Sequence, residues 1–361
     1  MTKLKNLQKA LKEKSIQGIL VSSEVNQRYV SDFAYTDGYI IVFPEKAYLL
    51  ADFRYIEAAQ KEVNCEDFEI IQPKTPQLKL LAELAEKNGA SEVLVEDYTL
   101  SVNDLSRLEA AADGKVKYAP GASRILDGMR AVKGEAELDA MARAQDIADA
   151  AFTHILNFIK LNMTEKEIAL ELEFFMRAHG AERTSFDTIA VSGTASSLPH
   201  GVPRDKKLEN GFFTMDFGCV VDGYCSDMTR TVCIGKADDE IKKIYNTVLK
   251  AQKEALAAAA AGERNCFKLD SIARDIIYGA GYEGRFGHSL GHGVGMYIHE
   301  SPSLSPNVDK SATLVTGNVV TFEPGIYIPD TYGCRIEDMA AITDTGIRNF
   351  THSTKELIEI Y

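Results

Sequence analysis

At 361 residues the chain is longer than one compact core usually holds, which favours two domains. Its 45% apolar and 26% charged residues match an ordinary globular protein. A net charge of −13 argues against nucleic acid or an anionic membrane as the main partner, because phosphates need a basic footprint.

The N-terminal segment MTKLKNLQKALKEKSIQGIL carries charges every few residues, unlike a signal peptide. It reads as an amphipathic helix with Leu4, Leu7 and Leu11 on one face. GILVSS reads as a strand, GYIIVFP and AYLLAD as a hairpin, and FRYIEAAQKEV as a helix. EDFEIIQ reads as a strand, PQLKLLAELAEKNG as a helix ending at Gly89, and SEVLVED as a further strand. This alternation predicts a small α/β domain over residues 1–125. The Pro- and Gly-containing stretch YAPGASRILDGMRAVKGEAE then leads into a second domain, 126–361.

The second domain opens with a long helix whose stripe is Leu138, Met141, Ala148, Phe152, Ile155 and Ile159. A second helix starts at Thr164, with Glu167 placed to complete a capping box and Ile168, Leu172 and Phe175 facing inward. Strand-rich sequence follows. The order then recurs, with helices in DDEIKKIYNTVLKAQKEALAAAAAG and FKLDSIARDIIYGAG before more strands. Two helix-helix-sheet halves make this domain α+β, with helices packed on a mainly antiparallel sheet.

The chemistry sits in those strands. In TMDFGCVVDGYCSDMTRTVCIG, Asp222-Gly223 predicts a two-residue turn that pairs Val221 with Tyr224 and Asp216 with Thr229. Asp227 then shares a face with Asp216 as its diagonal neighbour. Like charges converging on a sheet need a counter-ion or hydrogen-bond donors, and either would explain this pair alone. Glu323 in TFEPGIY and Glu337 in CRIED repeat the pattern fourteen residues apart. Arg335 lies on the same strand face as Glu337, two residues away, and an arginine partner could explain a single buried Glu. Four carboxylates with few nearby cations point to hard divalent metals. Between the hairpins, FGHSLGHGVGMYIHE holds His288, His292 and His299 among glycines. It contains neither a G-x-G-x-x-G nor an H-E-x-x-H pattern, which disfavours nucleotide-binding and helical zinc-protease readings.

Asp216, Asp227, His292, Glu323 and Glu337, with MDFG, SDMTRT, GHSLGHGVG, HESP, FEPGIY and RIED around them, resemble the dimetal site of the pita-bread (M24-type) metallopeptidases. The likeness covers about residues 130–361, and NQRYVSDF and ADFRYIEAA resemble the N-terminal domain of the proline-specific branch. The resemblance implies a pita-bread catalytic domain behind a smaller creatinase-like α/β domain. Asp216 would chelate one ion, Asp227 and Glu337 would bridge both, and His292 and Glu323 would complete the second. Two divalent ions are implied, manganese first, with cobalt or zinc also suited. A hydroxide between them would attack the scissile carbonyl, and Glu323 would carry a proton to the leaving nitrogen.

By the same resemblance, His200 in SLPHG and His299 contact substrate, His288 lines a proline pocket, Arg335 orients a carboxylate, and Tyr327 lies near the metals. The implied activity is Xaa-Pro aminopeptidase on peptides with proline second. Xaa-Pro dipeptidase (prolidase) is the alternative, followed by a metal-free creatinase-type hydrolase or a peptide-binding module. A homodimer is implied as well. The six cysteines include no C-x-x-C pair, so reduced thiols and a cytoplasmic location are expected.

Overall fold

The computed structural model describes residues 2–361. The chain forms two compact units, Met1–Met129 and Arg130–Tyr361.

In the first unit, α1 (Lys3–Glu13), β1 (Ile19–Val21) and α2 (Glu24–Ser31) precede the hairpin β2 (Tyr39–Val42) and β3 (Ala47–Leu50). Then come α3 (Ile56–Glu62), β4 (Glu69–Ile71), α4 (Gln77–Lys87), β5 (Glu92–Val95), α5 (Val102–Ala112), β6 (Lys117–Pro120) and α6 (Ala122–Arg130). The strands form one mixed sheet in the order β4-β3-β2-β1-β5-β6. Leu4, Leu7 and Leu11 of α1 are buried, as their spacing predicts. Three helices went unread: α2, α5 and α6. The entry to α2 is held by a distant group, since the buried Glu96 accepts hydrogen bonds from the Ser23 amide at 2.8 Å and its hydroxyl at 2.7 Å.

The second unit begins with α7 (Glu135–Phe158), α8 (Glu165–Ala178), β7 (Arg183–Thr184) and β8 (Ile189–Ser192). β9 (Gly211–Phe217), β10 (Cys219–Val221), β11 (Tyr224–Cys225) and β12 (Met228–Ile234) follow. The second half repeats the order with α9 (Asp239–Ala260), α10 (Cys266–Gly279), β13 (Gly291–Gly293), β14 (Glu300–Leu304) and β15 (Val319–Phe322). It ends with β16 (Gly325–Ile328), β17 (Tyr332–Arg335), β18 (Asp338–Ile342), β19 (Ile347–Asn349) and β20 (Glu359–Ile360). The main sheets run β20-β12-β9-β8 and β14-β13-β15-β18-β19. Alternation along β9 sends neighbouring side chains to opposite cores: Phe213, Met215 and Phe217 pack with α7 and α8, and Phe212 with α9. The capping box forms at Thr164 and Glu167. The inner face of α8 is Ile168, Leu172 and Met176, while Phe175 is half-buried and stacks between His154 and His179.

Two interrupted hairpins organise the centre. Val221 pairs with Tyr224 and Asp216 with Thr229, the predicted register. The ladder breaks at Gly218, where a Cβ would run into the Ser226 carbonyl. In the second hairpin Phe322 pairs with Asp338 and Gly325 with Arg335, leaving Glu323 and Glu337 at the break between ladders. Buried polar contacts fasten the hairpins together. The Thr231 hydroxyl donates to the Arg335 carbonyl at 2.8 Å, and Arg230 donates to the Glu337 carbonyl at 2.5 Å and to Asp338 at 2.8 Å.

Candidate metal centre and substrate cavity

Each carboxylate sits at or beside a hairpin break, where the chain leaves one ladder and its side chains turn to a common point. Ligand atoms of Asp227, His292 and Glu337 lie within 4.8 Å of one another. His292 Nε2 is 3.5 Å from Asp227 and 3.4 Å from Glu323. The Thr229 hydroxyl donates to Glu337 at 2.7 Å, and the Thr321 hydroxyl to Glu323 at 3.3 Å. Asp216 receives Arg335 Nη2 on one oxygen at 2.7 Å, while its other oxygen is buried without a hydrogen-bond partner. Arg335 therefore pairs with Asp216. Glu337, the partner that a shared strand face suggested, is held by Thr229 instead.

The electrostatics follow from burial without enough positive charge. Burial raises Asp227 well above the usual carboxylate range, and Glu337, Asp216 and Glu323 push it further. Glu337 is raised by burial, then by Glu323 and Asp216. Burial lifts Glu323 to about 8, with Arg335 opposing. Burial lowers His292 to about 4, so the imidazole is neutral near pH 7. Its Nδ1 lies 3.1 Å from the Gly293 carbonyl, which places the ring proton there. Nε2 then turns a lone pair toward two carboxylates, an arrangement that repels unless a cation or a carboxyl proton lies among them. The unpartnered Asp216 oxygen makes the same demand. Carboxylate oxygens plus one imidazole suit a divalent ion, so these residues fit and can hold metal.

A cavity of about 870 Å³ opens onto this cluster. Its lining includes His200, His288, His299, Tyr327 and Arg335, so the expected substrate residues and the carboxylates share one space. The Tyr327 hydroxyl lies 2.7 Å from Arg335 Nη1 and 2.9 Å from His288 Nε2. Burial lowers His288 to about 3, keeping it neutral, and raises Tyr327 to about 12. The His292 and His299 rings meet edge to face at 4.4 Å.

Residues 139–344, more than half of the chain, match the model for metallopeptidase family M24, and residues 3–132 match the creatinase/prolidase N-terminal domain. The chain belongs to metallopeptidase family M24. This M24 enzyme is 37% identical to an Xaa-Pro dipeptidase of Pyrococcus furiosus, over 99% of each chain. A solved Xaa-Pro dipeptidase from Bacillus anthracis superposes with a TM-score of 0.93 at 40% identity, covering 99% of each chain. An X-Pro aminopeptidase from Thermotoga maritima gives 0.87 at 34% identity, over 96% of this chain and 98% of that one. The architecture is thus the expected pita-bread domain with a creatinase-like domain before it.

Several supports of this M24 site were not read from sequence. Thr229 stands opposite Asp216 in the ladder, so the register alone could have singled it out. Glu300, beside His299, is buried against Arg130 at 3.0 Å and Lys133 at 3.1 Å. Burial opposes its charge, but Lys133 and Arg130 outweigh burial and hold the carboxyl below its usual range. No local pattern marks that triad, because Glu300 lies 170 residues from Arg130 and 167 from Lys133. Among the described residues no helix is long and apolar enough to cross a membrane, and all six cysteines are free.

Proposed function

We propose that this chain is an Xaa-Pro aminopeptidase that removes the residue preceding a proline. The observation carrying the reading is that Asp216, Asp227, His292, Glu323 and Glu337 line the same cavity as His200, His288 and His299. Asp216, Asp227, His292, Glu323 and Glu337 would hold a pair of divalent ions, manganese first, with cobalt or zinc also suited. Bound there, such ions polarise the scissile carbonyl and lower the pKa of water.

The chain's own residues do the rest. Arg335 fixes Asp216 and, through the Tyr327 hydroxyl, ties that carboxylate to His288. Glu323 would be the proton carrier, taking a proton from the attacking water and returning it to the prolyl nitrogen. That nitrogen leaves as an amine only once it has gained a proton, so cleavage requires such a donor. His200 and His299 would steady the developing oxyanion or the leaving group.

A second reading, dipeptidase, is favoured by the Xaa-Pro dipeptidases among the relatives. The test is a panel of Ala-Pro, Ala-Pro-Ala and Ala-Ala-Ala with protein stripped by chelator and reloaded with a defined metal. We expect metal-dependent cleavage of Ala-Pro-Ala and none of Ala-Ala-Ala. Cleavage of Ala-Pro alone would replace the aminopeptidase reading with the dipeptidase one. Full activity in stripped protein would remove the metal from the mechanism.

A further inference from the structure

The cavity holds one positively charged side chain whose purpose the mechanism leaves open. Arg285 lines it and is exposed, and its guanidinium has no hydrogen-bond or ion-pair partner among the described residues. The other arginine lining the cavity, Arg335, is engaged with Asp216, Tyr327, Thr229 and the Pro199 carbonyl. The backbone that carries Arg285 is firmly held. Its amide donates to the Tyr282 carbonyl at 3.0 Å, and its carbonyl accepts from the Tyr327 amide at 3.0 Å. Just beyond, Arg274 donates to the carbonyls of Phe286 at 2.7 Å and His288 at 2.9 Å, while Asp270 grips Arg274 in turn. Arg285 is thus rooted directly beside Tyr327 and His288.

We propose that Arg285 anchors the free C-terminal carboxylate of Xaa-Pro dipeptides. The proposal rests on the Xaa-Pro reading above and extends it to substrate length. In a dipeptide the proline bears a carboxylate, and in a longer peptide the same carbon bears an amide. The four acidic side chains would be matched by the divalent ions and Arg335 is committed to Asp216, so a carboxylate on the proline needs a further cation close by. A guanidinium matches a carboxylate in two parallel hydrogen bonds and gives an amide much less. Arg285 therefore admits dipeptides to a site that also accepts longer chains, and it sets the ratio between the two.

The test uses metal-loaded full-length protein, wild type against Arg285→Ala and Arg285→Lys, on Ala-Pro, Ala-Pro-amide and Ala-Pro-Ala. A charge-assisted pair predicts that Arg285→Ala lowers kcat/KM for Ala-Pro by about 10- to 100-fold, mainly through KM. The amide and the tripeptide should change by less than about threefold, and Arg285→Lys should recover part of the loss. Calorimetry gives a readout apart from turnover: wild type should bind N-acetylproline more tightly than its amide, and Arg285→Ala should lose that preference. Equal losses on all three substrates, or no loss on Ala-Pro, would overturn the assignment, as would a wild type indifferent to acid and amide. A wild type that cleaves no Xaa-Pro peptide would instead refute the Xaa-Pro reading, and the calorimetric comparison would still decide the role of Arg285.

Discussion

Asp227 is buried and faces three other carboxylates, so its charge is costly to keep in the absence of a cation. Asp227→Ala should abolish activity and reduce metal occupancy, both measurable after dialysis against manganese. The same change removes a buried repulsion, so the metal-stripped variant should melt higher than metal-stripped wild type. A variant that keeps its metal would contradict the assignment of Asp227 as a ligand. The pH dependence has a definite sign. Glu323 rises from about 4.5 to about 8 on folding, and Asp227 and Glu337 also rise. Between those limits the folded chain keeps protons that the unfolded chain has released, so stability falls as pH increases. His288 and His292 are lowered, and their contribution is lost only as pH falls below about 6.5. Thermal melts in chelator should therefore show the midpoint dropping from pH 6.5 to 8. Added divalent metal should cancel that drop, because the cation replaces the proton as counter-charge.

At the scale of elements, the site depends on hairpins that stop being hairpins halfway along. The register of the first was legible because Asp222-Gly223 adopts positive φ at both positions, 49° and 83°, and pins everything behind it. The breaks were not legible, since they arise where one strand pair leaves a sheet for another. The pairing of Arg335 with Asp216 crosses between hairpins, so inspection of one strand pointed to Glu337 instead. β13 shows how little room remains. A Cβ on Gly291 would collide with the Thr321 carbonyl, next to the hydroxyl that holds Glu323 and accepts from the His292 amide at 3.1 Å. Gly291→Ala should cost about 2–4 kcal/mol in urea unfolding and should loosen metal binding as well. Wild-type stability in that variant would mean that the two strands separate more easily than their packing implies.

Across the whole molecule, the two units should differ in how much they depend on a cation. The sheet of the first unit closes over an apolar core that includes Leu20, Ile41, Leu50 and Val93. Its buried carboxylate Glu96 is satisfied by serine donors. The second unit gathers its mutually repelling carboxylates around β9, β12, β15 and β18. Hydrogen exchange with and without chelator should therefore show protection lost in those four strands and unchanged in β1, β2, β3 and β5. Equal loss in both units would mean that metal stabilises the chain by some route other than this cluster.

Sequence alone determined the elements whose causes are local. Apolar spacing set α1, α4, α7 and α9, the capping box set the start of α8, and the Asp-Gly turn set the register that places Asp216 beside Asp227. The motif words around the five candidate ligands carried the family. Tertiary structure decided what depends on distant partners: α2 is held by Glu96, Asp216 by Arg335, Glu337 by Thr229, and the residue beside His299 by Arg130 and Lys133. It also decided which cation in the cavity stays free. The reason is physical: turn geometry and helix periodicity act over a few residues, whereas a buried charge is settled by whatever the fold brings within about 3 Å of it.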